Sequence, residues 1–212
     1  MIHVLYTYLN ETQHEALLKK YTDDCTIDFR QRLLKFRRWQ DQQASLLGRV
    51  LLKKGIKELY GKQCPTITFG QYGKPYFETS DIQFNISHSH ELVVCAITQH
   101  NEIGIDVEYP RSIDIQDFKF QMTEGEWNWI STAKDSQAAF YEYWTKKEAV
   151  IKAVGKGFSA DLKSFDVMGG TKQLILEGQE WHLSEVAIDK NYHCYLAIAG
   201  IDYSVKWSRI QL

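Results

Sequence analysis

The sequence predicts an α+β protein made of two similar subdomains related by a pseudo-twofold, each with helices packed on a small antiparallel sheet. Three observations carry this. Helical stretches followed by short strands occur in the same order twice along the chain. A length of 212 residues is enough to bury a core as one domain or as two small ones. Three prolines and scattered glycines leave no low-complexity linker, so the halves should abut. The seam is expected near Asn101–Ile103, dividing the chain into residues 1–102 and 103–212.

The elements follow in order. Met1-Ile2-His3-Val4-Leu5-Tyr6 partly alternates apolar and polar positions, which predicts a first strand. From Thr26 to Tyr60, apolar residues from Phe29 to Leu52 recur at three- and four-residue steps, which predicts a helix. Gly55, Gly61 and Pro65 punctuate its end. Ile67-Thr68-Phe69 is a short strand, and Gln71 to Tyr76 a turn-rich loop. Phe84-Asn85-Ile86-Ser87-His88-Ser89 leads into the apolar strand Leu92 to Thr98. Gln99 to Glu102 then turns the chain, so Ile103 to Tyr109 is expected to pair back as a hairpin. After Pro110, Phe118–Ile130 and Gln137–Val154 have helical patterns. Strands are expected around Phe165–Val167, Gln173–Leu176, Trp181–Val186 and Tyr192–Ala199.

Composition narrows the function classes. Hydrophobic residues are 44% and charged residues 25%, ordinary for a globular protein. The net charge of −2 argues against a bulk polyanion binder, so nucleic acid is not an expected partner. No apolar run approaches the roughly 20 residues that cross a bilayer, and no membrane partner is expected. Four cysteines, Cys25, Cys64, Cys95 and Cys194, are widely spaced without a CxxC pair. Together with a start that lacks signal-peptide character, they lead to the expectation of a cytoplasmic protein with reduced thiols.

The chemistry lies in a few short blocks. Asp106 and Glu108 are two apart on an expected strand, so their carboxylates leave one face while Ile103, Ile105 and Val107 leave the other. Gly104, on the acidic face, is expected to leave room for a ligand. Adjacent carboxylates repel, and a divalent cation relieves that cost. Taken alone, the pattern also describes a solvated acidic edge strand. Glu148 shares a helix face with Trp144 and Lys152, an arrangement that alone describes a surface Glu–Lys pair. Gly155-Lys156-Gly157 follows, where the lysine is expected to serve as a cationic arm for a phosphate. Ser87, His88 and Ser89 offer short polar groups suited to phosphate, although such a triplet is also a common turn. No G-x-S-x-G elbow supports a serine hydrolase. His90 and His100 have no spacing partner and are expected to be exposed. Arg30, Arg32, Lys35, Arg37 and Arg38 read as a solvated helix face or, beside Trp39, as a single-strand nucleic-acid surface. An intermediate reading has one or two of them meeting a phosphorylated nucleotide.

Gly73-Lys74-Pro75, Phe84-Asn85-Ile86-Ser87-His88-Ser89, Gly104-Ile105-Asp106-Val107-Glu108 and Trp144-Thr145-Lys146-Lys147-Glu148-Ala149 with Lys152, in that order, form a specific set. The set resembles the 4′-phosphopantetheinyl transferase superfamily, in its monomeric surfactin-synthetase-activating type. The resemblance implies coenzyme A bound between two similar subdomains, and transfer of its phosphopantetheine to a serine of an apo acyl or peptidyl carrier protein, releasing 3′,5′-ADP. It implies that Asp106, Glu108 and Glu148 surround Mg²⁺, that Glu148 and Lys152 are catalytic, and that Lys74, Ser87 and His88 hold coenzyme A. Arg32 and Ser45 are the corresponding expectations at the adenosine 3′-phosphate. The sequence departs from the pattern at three positions: Ala44 stands where many relatives have arginine, Phe29 where some have lysine, and His90 where glycine usually follows Ser-His-Ser. Two other readings compete with this one. One is a non-catalytic module binding a carrier protein or single-stranded nucleic acid. The other is a Mg²⁺-dependent nucleotide pyrophosphatase.

Overall fold

A computed structural model describes residues 1–157, 161–200 and 203–212. The first half begins with strand β1 (Ile2–Tyr8) and continues through helices α1 (His14–Tyr21), α2 (Ile27–Leu33) and α3 (Trp39–Tyr60). A small ribbon of β2 (Ile67–Phe69) and β3 (Pro75–Phe77) precedes strands β4 (Ile82–Ser89) and β5 (Leu92–Gln99). The second half runs from β6 (Ile103–Glu108) through a 3₁₀ segment, Ile115–Gln121, to helices α4 (Glu124–Thr132) and α5 (Ser136–Val154). It ends with β7 (Gln173–Leu176), β8 (Gln179–Glu185), β9 (His193–Ala199) and β10 (Val205–Arg209).

The two halves repeat one topology. In the first, the opening strand pairs antiparallel with the last, which pairs with its predecessor, giving β1-β5-β4; in the second, with β10 set aside in the first sheet, the same rule gives β6-β9-β8. A long helix covers each sheet. Leu47, Leu51 and Ile56 of α3 pack on Leu5, Phe84, Val93 and Ile97. Phe140, Tyr143, Val150 and Ala153 of α5 pack on Trp181, Leu183 and Ala197. The opposite sheet faces meet in a third core, in which Ile2, Val4 and Val94 face Ile103, Ile105, Val107 and Leu196. Alternation along β1 and β5 lets each of these strands serve two cores at once, whereas β6 gives one face to the inter-sheet core and keeps Gly104, Asp106 and Glu108 on the other.

Both long helices stop at glycines with left-handed backbone, Gly61 (φ 63°) and Gly155 (φ 79°). An L side chain is strained there and glycine is not. The turn between β4 and β5 needs the same conformation at His90 (φ 52°).

The structure corrects several expectations. The stretch Thr26–Tyr60 is two helices, because Thr26 caps α2 and a turn at Leu34–Arg38 re-aims the chain before α3. Helix α1 precedes them, so the arginine-rich segment is not the first helix, and Arg37 and Arg38 lie between helices. β6 does not pair with β5 as a hairpin; it crosses to the second sheet and pairs with β9. Phe165–Val167 is not a strand but an irregular segment lying over α5. Residues 71–76 include the start of β3, and Phe118–Ile130 is a 3₁₀ turn followed by α4, whose capping box pairs Thr123 with Glu126. The last strand, β10, runs parallel to β1, so the first sheet draws on both ends of the chain.

Gly104 also departs from its expected role. A Cβ there would fall 2.1 Å from the Ala149 carbonyl oxygen and 2.4 Å from the Ala153 nitrogen. The glycine therefore lets the backbone of α5 rest directly on β6, and it opens no space for a ligand. Gly104→Ala should force the helix away from the strand and lower unfolding free energy by about 3 kcal/mol in urea titration.

Candidate active site

Strands β4 and β6 are edges of different sheets, and no backbone ladder joins them. Side chains join them instead. On β4, Phe84 and Ile86 point toward α3, so Asn85, Ser87 and Ser89 point the other way, toward β6. Asn85 Oδ1 accepts from the Ile105 backbone N–H at 2.9 Å. Ser87 Oγ donates to Asp106 Oδ1 at 2.9 Å, and Ser89 Oγ donates to Glu108 Oε2 at 2.8 Å. The motif Asn85-Ile86-Ser87-His88-Ser89 thus fits β6 residue by residue.

From the far side α5 supplies the charge. Lys152 Nζ donates to Asp106 Oδ1 at 2.5 Å and to Ser87 Oγ at 2.9 Å, closing a three-membered node. Asp106 is only 3% exposed, and its Oδ2 is buried without a hydrogen-bond partner. Glu148 lies one turn before Lys152, half-buried. Burial raises its pKa above the usual carboxylate value; the Asp106 charge adds to this and Lys152 opposes it. Glu108 is pushed up to about 7, first by burial and then by Asp106, while the Ser89 hydroxyl and Lys152 pull it down. Three carboxylates therefore sense one another around one lysine.

The other lysines of the helix point elsewhere. Lys146 bonds Glu142 at 2.6 Å and the Gly169 carbonyl. Lys147 is fully buried against Glu126 at 2.7 Å, donates to the carbonyls of Leu162 and Phe165, and fixes the 161–167 segment over the helix. Lys156, expected as a phosphate arm, pairs with Glu177 at 2.6 Å on the surface.

A cavity of about 340 Å³ opens beside the node, lined by Lys74, Asn85, Ile86, Glu148, Ile151 and Lys152, among others. Lys74 enters from the first half, and its ammonium caps the Ala153 carbonyl near the C-terminus of α5. Burial lowers the Lys74 pKa. Its stem lies 2.7 Å from where a Cβ on Gly155 would stand, so that glycine clears its path. The expected residues Lys74, Ser87, Asp106, Glu108, Glu148 and Lys152 are thus brought together. His88 is exposed on the same strand, and its pKa is lowered by local crowding and by Lys152.

Arg32 and Ser45 do not line this cavity. The Arg32 guanidinium stacks over Phe29 and Phe69, at 5.1 and 5.5 Å, and Arg49 approaches the same rings at 5.0 and 5.8 Å. Burial first, then the neighbouring Arg32 charge, depresses the Arg49 pKa to about 10. Sequence reasoning missed Arg49, although it stands one turn after Ser45 on α3. It also missed Glu126, the buried partner of Lys147, and the parts played by Asn85 and Ser89.

The expected metal trio differs in one respect. Among the described residues, no three His, Cys, Asp or Glu groups converge closely enough to hold an ion, and Lys152 occupies the Asp106 oxygen nearest Ser87. The donor set still suits a hard divalent cation: an orphaned buried Asp106 oxygen, with two neighbouring carboxyls that are reluctant to ionise without a counter-charge.

Two like halves meet at a cavity that Lys74, Glu148 and Lys152 line, with Asp106 behind Lys152, a cluster of charge that defines the candidate active site of an enzyme. Comparison with known proteins says which kind. Residues 102–197 match the 4′-phosphopantetheinyl transferase superfamily, and residues 20–100 match the 4′-phosphopantetheinyl transferase N-terminal family. The chain is 34% identical to 4′-phosphopantetheinyl transferase gsp of Aneurinibacillus migulanus over 84% of its own length and 76% of that protein's. It is 34% identical to 4′-phosphopantetheinyl transferase Sfp of Bacillus subtilis (strain 168), over 84% and 77%. A 29% identical relative is the L-aminoadipate-semialdehyde dehydrogenase-phosphopantetheinyl transferase of Xenopus laevis, over 82% and 68%. The chain belongs to the 4′-phosphopantetheinyl transferase superfamily and is an enzyme of phosphopantetheine transfer.

The raised pKa of Glu108 has a consequence for stability. Its carboxyl stays protonated to higher pH in the folded chain than in the unfolded one. The stability that this group contributes is therefore fully present below the unfolded value of 4.5 and is lost as pH rises toward about 7. In chelator-treated protein, urea unfolding at about pH 5 and pH 7 should show a larger loss for wild type than for Glu108→Gln.

Proposed function

We propose that this enzyme takes coenzyme A in the cavity between its halves and transfers phosphopantetheine to a carrier-protein serine with the help of Mg²⁺, acting as a cytoplasmic monomer. The halves correspond to residues 1–102 and 103–212. The observation that carries the proposal is the Ser87–Asp106–Lys152 node, which ties the two halves together through Lys152 beside the cavity that Lys152 and Glu148 line. Asp106, Glu108 and Glu148 would hold the cation, which when bound offsets negative charge on the pyrophosphate.

The residues then take distinct parts. Glu148, whose pKa burial raises above the usual carboxylate value, accepts the proton of the carrier serine hydroxyl, directly or through a water. The serine oxygen forms a bond to phosphorus as the pyrophosphate bridge breaks, and 3′,5′-ADP leaves with the bond electrons. Lys152 sits on Asp106 at the cavity edge, where its ammonium stabilises charge developing on the leaving phosphate. Lys74, Ser87 and His88 border the same region and bind coenzyme A phosphates. Arg32, stacked beside Arg49, and Ser45 on α3 are assigned to the 3′-phosphate; guanidinium groups held over aromatic faces are already oriented for such a contact.

With coenzyme A, Mg²⁺ and an apo carrier protein, Glu148→Gln should lower kcat about 10²–10⁴-fold while leaving the melting temperature near that of wild type. Release of 3′,5′-ADP followed together with carrier mass reads the reaction. Full turnover in the variant would remove Glu148 from the base role, and release without carrier modification would identify a hydrolase.

A further inference from the structure

The reaction above gives no task to Ser89, although its hydroxyl is tightly fixed. Ser89 Oγ donates to Glu108 Oε2 at 2.8 Å and accepts from the Tyr109 backbone N–H at 3.1 Å. A hydroxyl has one proton to give. The Tyr109 N–H engages a lone pair, which leaves that proton aimed at Glu108. The residues around it are braced as well. The His90 ring lies on Tyr109 at 4.5 Å, and Tyr109 meets Tyr192 edge-on at 5.2 Å.

The same device occurs two residues earlier on both strands. Ser87 holds one oxygen of Asp106, and the other, Oδ2, is buried without a partner. Ser89 holds one oxygen of Glu108, and among the described residues Oε1 takes no hydrogen bond. Two serines spaced by two thus each grip one oxygen of two carboxylates spaced by two. Each carboxylate keeps its second oxygen available. Glu108 has most need of such a grip, because its side chain is long, half-buried and repelled by Asp106.

We propose that Ser89 is a positioning residue, orienting Glu108 so that its free oxygen is presented to the divalent cation. This rests on the transferase reading given above. Hydrogen-bond partners of metal-binding carboxylates are worth about 10–100-fold in metal affinity when removed.

The test uses the full chain, chelator-treated, without coenzyme A or carrier, and with Mn²⁺ as the probe. Binding is followed by electron paramagnetic resonance of the free ion and by calorimetry. Ser89→Ala should weaken Mn²⁺ binding about 10–100-fold, and Ser89→Thr, which keeps the hydroxyl, should restore it to within a few-fold of wild type. If Ser89→Ala binds Mn²⁺ as wild type does while its melting temperature falls, Ser89 only caps the end of β6 and the proposal is overturned. If wild type itself binds no Mn²⁺, the metal assignment fails and takes the proposal with it. Where the alanine variant does not fold, Ser89→Cys, similar in volume and a much weaker donor, is subject to the same two outcomes.

Discussion

The structure depends on how two sheet edges meet. β4 and β6 approach with their strands unladdered, and a row of short polar side chains fills the seam. Unpaired backbone groups buried in such a seam would cost about 1–3 kcal/mol each, and Asn85 removes that cost at the Ile105 N–H. The remaining side chains do something backbone ladders cannot. They bring hydroxyls to carboxylates and, among the described residues, leave the second oxygen of each carboxylate without a hydrogen bond.

Asp106 sets the electrostatics. A carboxylate 3% exposed must find a cation or lose its charge, and Lys152 provides the cation from α5. Removing one partner of a buried pair costs about 3–5 kcal/mol, so the pair resists loss more than it contributes net stability. Burial first, and then this same charge, raises the pKa values of Glu108 and Glu148. The second buried pair, Glu126 with Lys147, has a different task. It ties α4 and the 161–167 segment to α5, which holds the register of the helix that carries Glu148 and Lys152.

Much of this was legible in the chain. Spacing placed Asp106 with Glu108 on one face, and Glu148 with Lys152 on another, and the order of motifs placed them in one family. What spacing could not show was non-local. Two apolar runs joined by a short polar turn resemble a hairpin, yet β6 leaves for another sheet, because its partner β9 lies some ninety residues later. Leu33, Leu34 and Phe36 continue a helical period across a turn that only packing reveals, and Leu34 proves exposed. Gly104 looked like an opening for a ligand and is filled by α5, since sequence does not tell which neighbour a missing Cβ admits. Ser89 acquires its meaning only once the register of β4 against β6 is known, whereas Arg49 could have been found from its place one turn after Ser45.

The central claim is that groups from both halves form one functional node rather than two adjoining surfaces. A double-mutant cycle between Ser87→Ala and Lys152→Met, read as kcat/KM for coenzyme A with a carrier protein, tests it directly. The account predicts that the double variant loses much less than the sum of the single losses, with a coupling of about 1–3 kcal/mol. Losses that add to within about 0.5 kcal/mol would contradict it.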